Sequence, residues 1–99
     1  MALIEILIVG NNKPIMQTIE RLINKEGSWK ATIALSIEDA LKYASAINFK
    51  LVLLCAGLEE EQLLNEKLLK LKSDLPIVKH YGGGSGLLFT EIHQALALF

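Results

Sequence analysis

The sequence predicts an α/β domain in which four parallel strands alternate with four helices. Two short segments, residues 5–9, which are apolar from Ile6 onward, and the apolar run 51–54, have the length and composition of strands buried on both faces of a sheet. The first run ends at Gly10 and Asn11, and the second ends at Cys55. Strands that alternate with helices form a parallel sheet with helices on both faces.

The first half of the chain shows clear element boundaries. Pro14 suits the first turn of a helix, and Gly27 is typical of the position just beyond a helix end. Residues 29–35 alternate weakly between apolar and polar, which is typical of an edge strand. Ser36 followed by Asp39 resembles a capping box, so a second helix is predicted to begin there.

The second half continues the alternation. Glutamates at 59–61 and lysines from 67 to 72 match the dipole of a third helix. Residues 77–81 are predicted to form the fourth strand, and a last helix follows the glycine-rich segment 82–86. For four strands the predicted order is 2-1-3-4, which brings the carboxyl ends of the first and third strands together.

Composition narrows the function classes. The 99 residues suit a single domain, residues 1–99, and 10 basic against 11 acidic residues leave no basic surface for nucleic acid. No apolar run is long enough to span a bilayer, so no membrane partner is expected. One cysteine and no export signal at the N-terminus predict a reducing, cytoplasmic location.

Several segments, taken in order, resemble response-regulator receiver domains. They are residues 6–13, 26–27, 36–41, 49–54 and 75–78. The resemblance covers roughly residues 4–81 and implies a flavodoxin-like three-layer fold. Compared with that family, the chain lacks one βα unit that includes the fifth strand, so its last helix follows the fourth strand directly.

The phosphoacceptor residues of that family have no counterparts here. Receivers accept a phosphoryl group on an aspartate at the end of the third strand, where this chain has Cys55. The acidic pair that holds Mg²⁺ is replaced by Gly10 and Asn11, and the hydroxyl residue of the fourth strand is replaced by Tyr81. The resemblance therefore implies a truncated pseudo-receiver with no catalytic residue, metal or cofactor.

Cys55 allows a second interpretation. A cysteine ahead of a helix N-terminus can be a reactive thiolate, and residues 53–58 also resemble the loop of cysteine-phosphorylated subunits of sugar phosphotransferase systems. However, glutamates at 59–61 disfavour negative charge nearby, and free cysteines are usually buried. We expect a shielded thiol, and a phosphoryl carrier on Cys55 is the alternative.

The glycine-rich segment allows a third interpretation, a sensor of a small anion or nucleotide at 82–86. Backbone N–H groups freed by glycine, ahead of a helix N-terminus, can bind an anion. The candidate residues are Gly82, Gly83, Gly84 and Ser85. No Lys-Ser/Thr pair follows them, and such segments are more often flexible connections.

Taken together, the sequence favours a non-enzymatic protein-interaction module over a catalyst, and its resemblance implies a place in a two-component phosphorelay pathway. Loss of the fifth strand would leave the fourth strand at an open edge, which proteins normally cover. We therefore expect a homodimer, with Val78, Leu87 and Leu98 as candidate interface residues.

Overall fold

The structure, a computed structural model, describes residues 3–55, 60–80 and 88–97. Strands and helices alternate throughout these residues, as the sequence predicts. The elements in chain order are β1 (Ile4–Val9), α1 (Lys13–Asn24), β2 (Trp29–Ala34), α2 (Ile37–Ala46), β3 (Leu51–Cys55), α3 (Glu61–Leu71), β4 (Ile77–His80) and α4 (Leu88–Ala97). No helix within these residues is both long enough and apolar enough to cross a membrane.

The four strands form one parallel sheet in the order β2-β1-β3-β4. This order confirms the predicted 2-1-3-4 arrangement and puts β2 and β4 at the two edges of the sheet. The register pairs Val9 of β1 with Ala34 of β2 and with Leu54 of β3. The carboxyl ends of the two central strands therefore lie side by side.

Two apolar clusters cover the two faces of the sheet. The first contains Met16, Ile19 and Ile23 of α1 together with Leu88 and Ile92 of α4. The second contains side chains of α2 and α3, namely Ala40, Leu64 and Leu68. All five residues of β3 are buried, because helices cover this strand on both sides. The result is the predicted three-layer α/β sandwich.

The position of α4 shows how the sheet of four described strands is covered on the α1 side. This helix shares the face of α1 and packs over β3 and β4. The sequence resemblance implies the same connection, in which the last helix follows the fourth strand directly. The α3 side of the sheet receives no additional helix from the described residues.

Candidate functional site

The candidate site lies where β1 and β3 end. Gly10 follows Val9 directly, and its N–H donates to the carbonyl of Ala34 on β2 at 3.3 Å. Cys55 is the last residue of β3 and pairs with His80 of β4. The structure thus brings Gly10 and Cys55 together at the carboxyl edge of the sheet, as the sequence predicts for the switch point of an α/β fold.

The space beside Gly10 is already filled by neighbouring side chains. A Cβ atom at this position would lie 2.9 Å from the Cβ of Cys55 and 3.2 Å from the Sδ of Met16. Contacts between carbon atoms are normally 3.5–4.0 Å, so one of these groups would have to move. Of the glycines in the described segments, Gly27 alone has a positive φ, at 84°. Gly10 is therefore required for space and not for its backbone conformation.

Cys55 belongs to the apolar cluster beneath α1. Only 3% of its surface is exposed, and Met16, Ile8 and Leu53 lie in the same cluster. Burial raises the pKa of the Cys55 thiol from 9.0 to about 11. The thiol is therefore protonated at neutral pH, which is opposite to what a nucleophilic cysteine needs.

The polar residues after β1 begin α1. The Oδ1 of Asn12 accepts a hydrogen bond from the N–H of Ile15 at 3.2 Å, which is the capping interaction of the helix. Asn11 is exposed beside it. The Asn12 amide therefore stabilises the start of α1, and the carboxylate oxygens that a hard cation prefers do not occur at either position.

Met16 is a site residue that the sequence interpretation missed. Its side chain is completely buried and contacts the Gly10 position, whereas Ile15 is 38% exposed. Met16, Ile19 and Ile23 follow the i, i+3, i+7 spacing of one helix face. The sequence shows that spacing, but Ile15 fits the apolar face of the helix as well as Met16 does. The spacing alone therefore does not show which of the two is buried.

Most of the remaining predicted site residues fall outside the part of the chain that the structure describes. They are Tyr81, Gly82, Gly83, Gly84, Ser85, Leu87 and Leu98. Val78, the described interface candidate, is partly buried and packs against the cluster formed by α1 and α4. Its side chain therefore packs toward the core, and its role at an interface stays a prediction.

Metal coordination finds no support in the described segments. No group of three or more His, Cys, Asp or Glu residues within them could hold an ion. His93 of α4 instead packs on Trp29, with 5.0 Å between the ring centroids and a tilt of 56°. This histidine therefore contacts an aromatic residue at the opposite end of the sheet from Cys55.

A shallow groove of about 310 Å³ lies at the other end of the domain, between the last turns of α2 and α3. Ile47, Leu71 and Leu75 line it, and Leu71 is 53% exposed. The Nζ of Lys72 donates to the Oδ1 of Asn48 at 3.1 Å there. The sequence interpretation did not identify this groove, because its walls come from three separate segments.

Comparison with known proteins identifies the fold. Response regulator TrrA from Thermotoga maritima, solved with Mg²⁺ and BeF, aligns with a TM-score of 0.80 at 18% identity, over 95% of this chain and 100% of that one. A CheY-like receiver domain from Methanospirillum hungatei gives 0.73 at 24% identity, over 95% of this chain and 76% of that one. The non-phosphorylated HemR receiver domain from Leptospira biflexa aligns with a TM-score of 0.70 at 19% identity, over 93% of this chain and 75% of that one.

This chain has the fold of response-regulator receiver domains. No protein-family model matches its sequence, and no curated protein does so either. At 18–24% identity the structural likeness establishes the fold alone. What the domain does must therefore be argued from its own residues.

Proposed function

We propose that this domain is a non-catalytic pseudo-receiver that binds other proteins in a two-component or related signalling pathway. It accepts no phosphoryl group and turns over no substrate. The observation that carries the proposal is the packing of Met16 and Cys55 into the space beside Gly10. Gly10 and Cys55, two of the three positions where the family resemblance puts carboxylates, are buried here.

The chemistry of phosphoryl transfer explains why this packing matters. Transfer depends on a metal ion that neutralises the developing charge and on positioned groups around the phosphoryl oxygens. A divalent cation of this kind is bound by oxygen ligands, mainly carboxylates. Gly10 supplies no side chain, and Cys55 supplies a buried, protonated thiol. Gly10 and Cys55 therefore offer neither a carboxylate ligand for a cation nor a thiolate nucleophile.

A protein-binding role follows from what the fold retains. The receiver framework is intact over four strands and four helices, and structural neighbours with this fold are response regulators. A domain that keeps this framework and fills its reactive end with core side chains still presents its outer surfaces to partners. Its single buried thiol is compatible with the reducing cytoplasm, where we place the domain.

Self-association is part of this proposal. Among the described strands, β4 has β3 as its one neighbour, so its other side forms an edge of the sheet. Edges of this kind are commonly covered by another element or by a second chain. A two-fold axis would cover the edges of both copies at once. We therefore expect a homodimer as the working form.

The decisive experiment is incubation with acetyl phosphate and Mg²⁺ followed by intact-mass measurement. We expect no added phosphoryl group, whereas the receiver domain of a structural neighbour serves as the positive control. The Cys55→Ser variant is measured in parallel. An adduct on both proteins would overturn the proposal, and an adduct that disappears in Cys55→Ser would establish the phosphoryl-carrier alternative.

A further inference from the structure

One side of β4 carries a surface that the described residues leave partly open. We call it the β4 flank and define it by Gln62, Asn65 and Leu69 of α3 and Ile77 of β4. Gln62 and Asn65 line a shallow depression together with Glu61 and Lys79. Leu69 is 39% exposed, and Ile77 is only partly buried. The flank therefore combines two apolar residues with two amides.

The three helical residues of the flank form one stripe. Gln62, Asn65 and Leu69 are spaced i, i+3 and i+7, which places them on the same face of α3. The depression shared with Lys79 shows that this face looks toward β4. Leu64 and Leu68, which are completely buried, form the neighbouring stripe that packs on the sheet. The flank thus borders the core without being covered by it.

The backbone of β4 extends the flank to the sheet edge. The carbonyl of Pro76 accepts a hydrogen bond from the N–H of Val52 at 3.0 Å, so the groups of residue 76 point toward β3. Backbone groups of successive residues in a strand point to opposite edges, so those of Ile77 point away from β3. Val78, two residues after Pro76, again points toward β3. The backbone of Ile77, and not that of Val78, therefore faces the edge.

The two charged residues that line the depression beside the flank, Glu61 and Lys79, balance each other. The Nζ of Lys79 lies 3.0 Å from the Oε1 of Glu61, so one base and one acid stand side by side. The amides of Gln62 and Asn65 can each donate and accept hydrogen bonds. Two copies of such a surface meet without accumulating like charge. A strongly basic or acidic partner would find no net charge to recognise there.

We propose that the β4 flank is the docking surface for a second copy of this chain. The two copies are related by a two-fold axis beside β4, so that Ile77 meets the edge of the partner and Leu69 meets its α3. This inference rests on the proposed self-association and names its location. It assigns the contact to the backbone and side chain of Ile77 and to the side chain of Leu69, and not to the side chain of Val78.

The test compares two leucines of α3 that are equally exposed. Leu69 is 39% exposed on the flank, and Leu63 is 40% exposed about 120° away around the helix. We expect Leu69→Glu to weaken the dimer at least about tenfold in sedimentation equilibrium, because it buries an unpaired charge in the contact. Leu63→Glu should leave the dissociation constant within about twofold of wild type. Circular dichroism confirms that both variants keep their helices.

A second measurement follows the Ile77 amide by hydrogen exchange. We expect its exchange to slow as protein concentration rises through the dimer transition, and to lose this dependence in Leu69→Glu. A dimer that survives Leu69→Glu, or that Leu63→Glu disrupts equally, would overturn the location but not the self-association. A wild-type monomer at high concentration would overturn both, while the acetyl phosphate result would still stand independently.

Discussion

The carboxyl end of the central strands and the β4 flank differ in how closely their side chains are packed. At the first, Gly10 and Cys55 pack so closely that no additional carbon atom fits between them. At the second, Leu69 and Ile77 keep part of their apolar surface open. Among the described residues, the carboxyl end of the central strands is closely packed, and the side of β4 away from β3 stays partly open to solvent.

This difference separates residues that stabilise the fold from residues that are available for association. Filling the carboxyl end with Met16 and a thiol adds apolar contacts to the core, and each buried apolar group contributes to stability. The open flank contributes less to the fold, because its side chains remain in contact with water. Changes at the carboxyl end should therefore affect folding, whereas changes at the flank should mainly affect association.

Restoring an acidic residue at Gly10 is the most damaging change that we predict. Gly10→Asp places a Cβ 2.9 Å from that of Cys55 and adds a carboxylate among apolar side chains. We expect the free energy of unfolding to fall by about 4 kcal/mol or more, measured by urea denaturation. Asn11→Asp, at the exposed neighbouring position, is the control and should cost less than about 1 kcal/mol. Equal losses would mean that the carboxyl end is not closed.

Met16 provides the next test, because it fills the space beside Gly10. Met16→Ala should lower the free energy of unfolding by about 2–4 kcal/mol, since the side chain is completely buried. Ile15→Ala, at the 38% exposed position, should cost far less.

The stability effects of changes at Gly10 and Met16 should also be coupled. Gly10→Ala alone crowds the Met16 Sδ at 3.2 Å and should cost about 1–3 kcal/mol. In the double variant Gly10→Ala/Met16→Ala the total loss should be smaller than the sum of the single losses. Strict additivity would contradict the proposed contact.

The buried Cys55 thiol should make the free energy of unfolding depend on pH. Burial raises its pKa from 9.0 to about 11 in the folded protein, so the unfolded chain ionises first as the pH rises. The contribution of the protonated Cys55 thiol to the free energy of unfolding is complete below pH 9. It is lost between pH 9 and about pH 11, to a total of about 2–3 kcal/mol. Cys55→Ala should lack this component of the alkaline loss. Native alkylation by iodoacetamide should also be about a hundredfold slower than for a thiol with a pKa of 9.0, measured near pH 8.

The ion pair beside the flank, between Lys79 and Glu61, should have the smallest effect on folding. Lys79 is 63% exposed, so its 3.0 Å contact with Glu61 lies largely in solvent. We expect Lys79→Ala to change the free energy of unfolding by less than about 1 kcal/mol, and less at high salt. A larger loss would show that the flank contributes to the fold as strongly as the closed end does.

Much of the architecture could be predicted before any coordinates were considered. The apolar runs of β1 and β3, the cap at Ser36 and the break at Gly27 identify elements whose causes are local. The Oγ of Ser36 accepts from the N–H of Asp39 at 3.1 Å, which confirms the predicted cap. Strand order followed from general rules of parallel sheets, and the observed order agrees.

Smaller errors of the sequence interpretation have local causes as well. The first helix ends at Asn24 and the second strand ends at Ala34, each slightly earlier than expected. The predicted strand includes Leu35, yet this residue is 43% exposed. Composition alone could not show that the burial of β2 stops at Ala34.

The sequence by itself determined the alternation of strands and helices, the absence of carboxylates at Gly10, Asn11 and Cys55, and the single cysteine. Only the tertiary structure decided what fills the carboxyl end of the sheet, because the contact between Gly10, Met16 and Cys55 joins three separate elements. It also decided that Val78 faces inward while Leu69 faces the open edge. Periodicity specifies which residues share a face of one element, but only packing between elements determines which faces are covered.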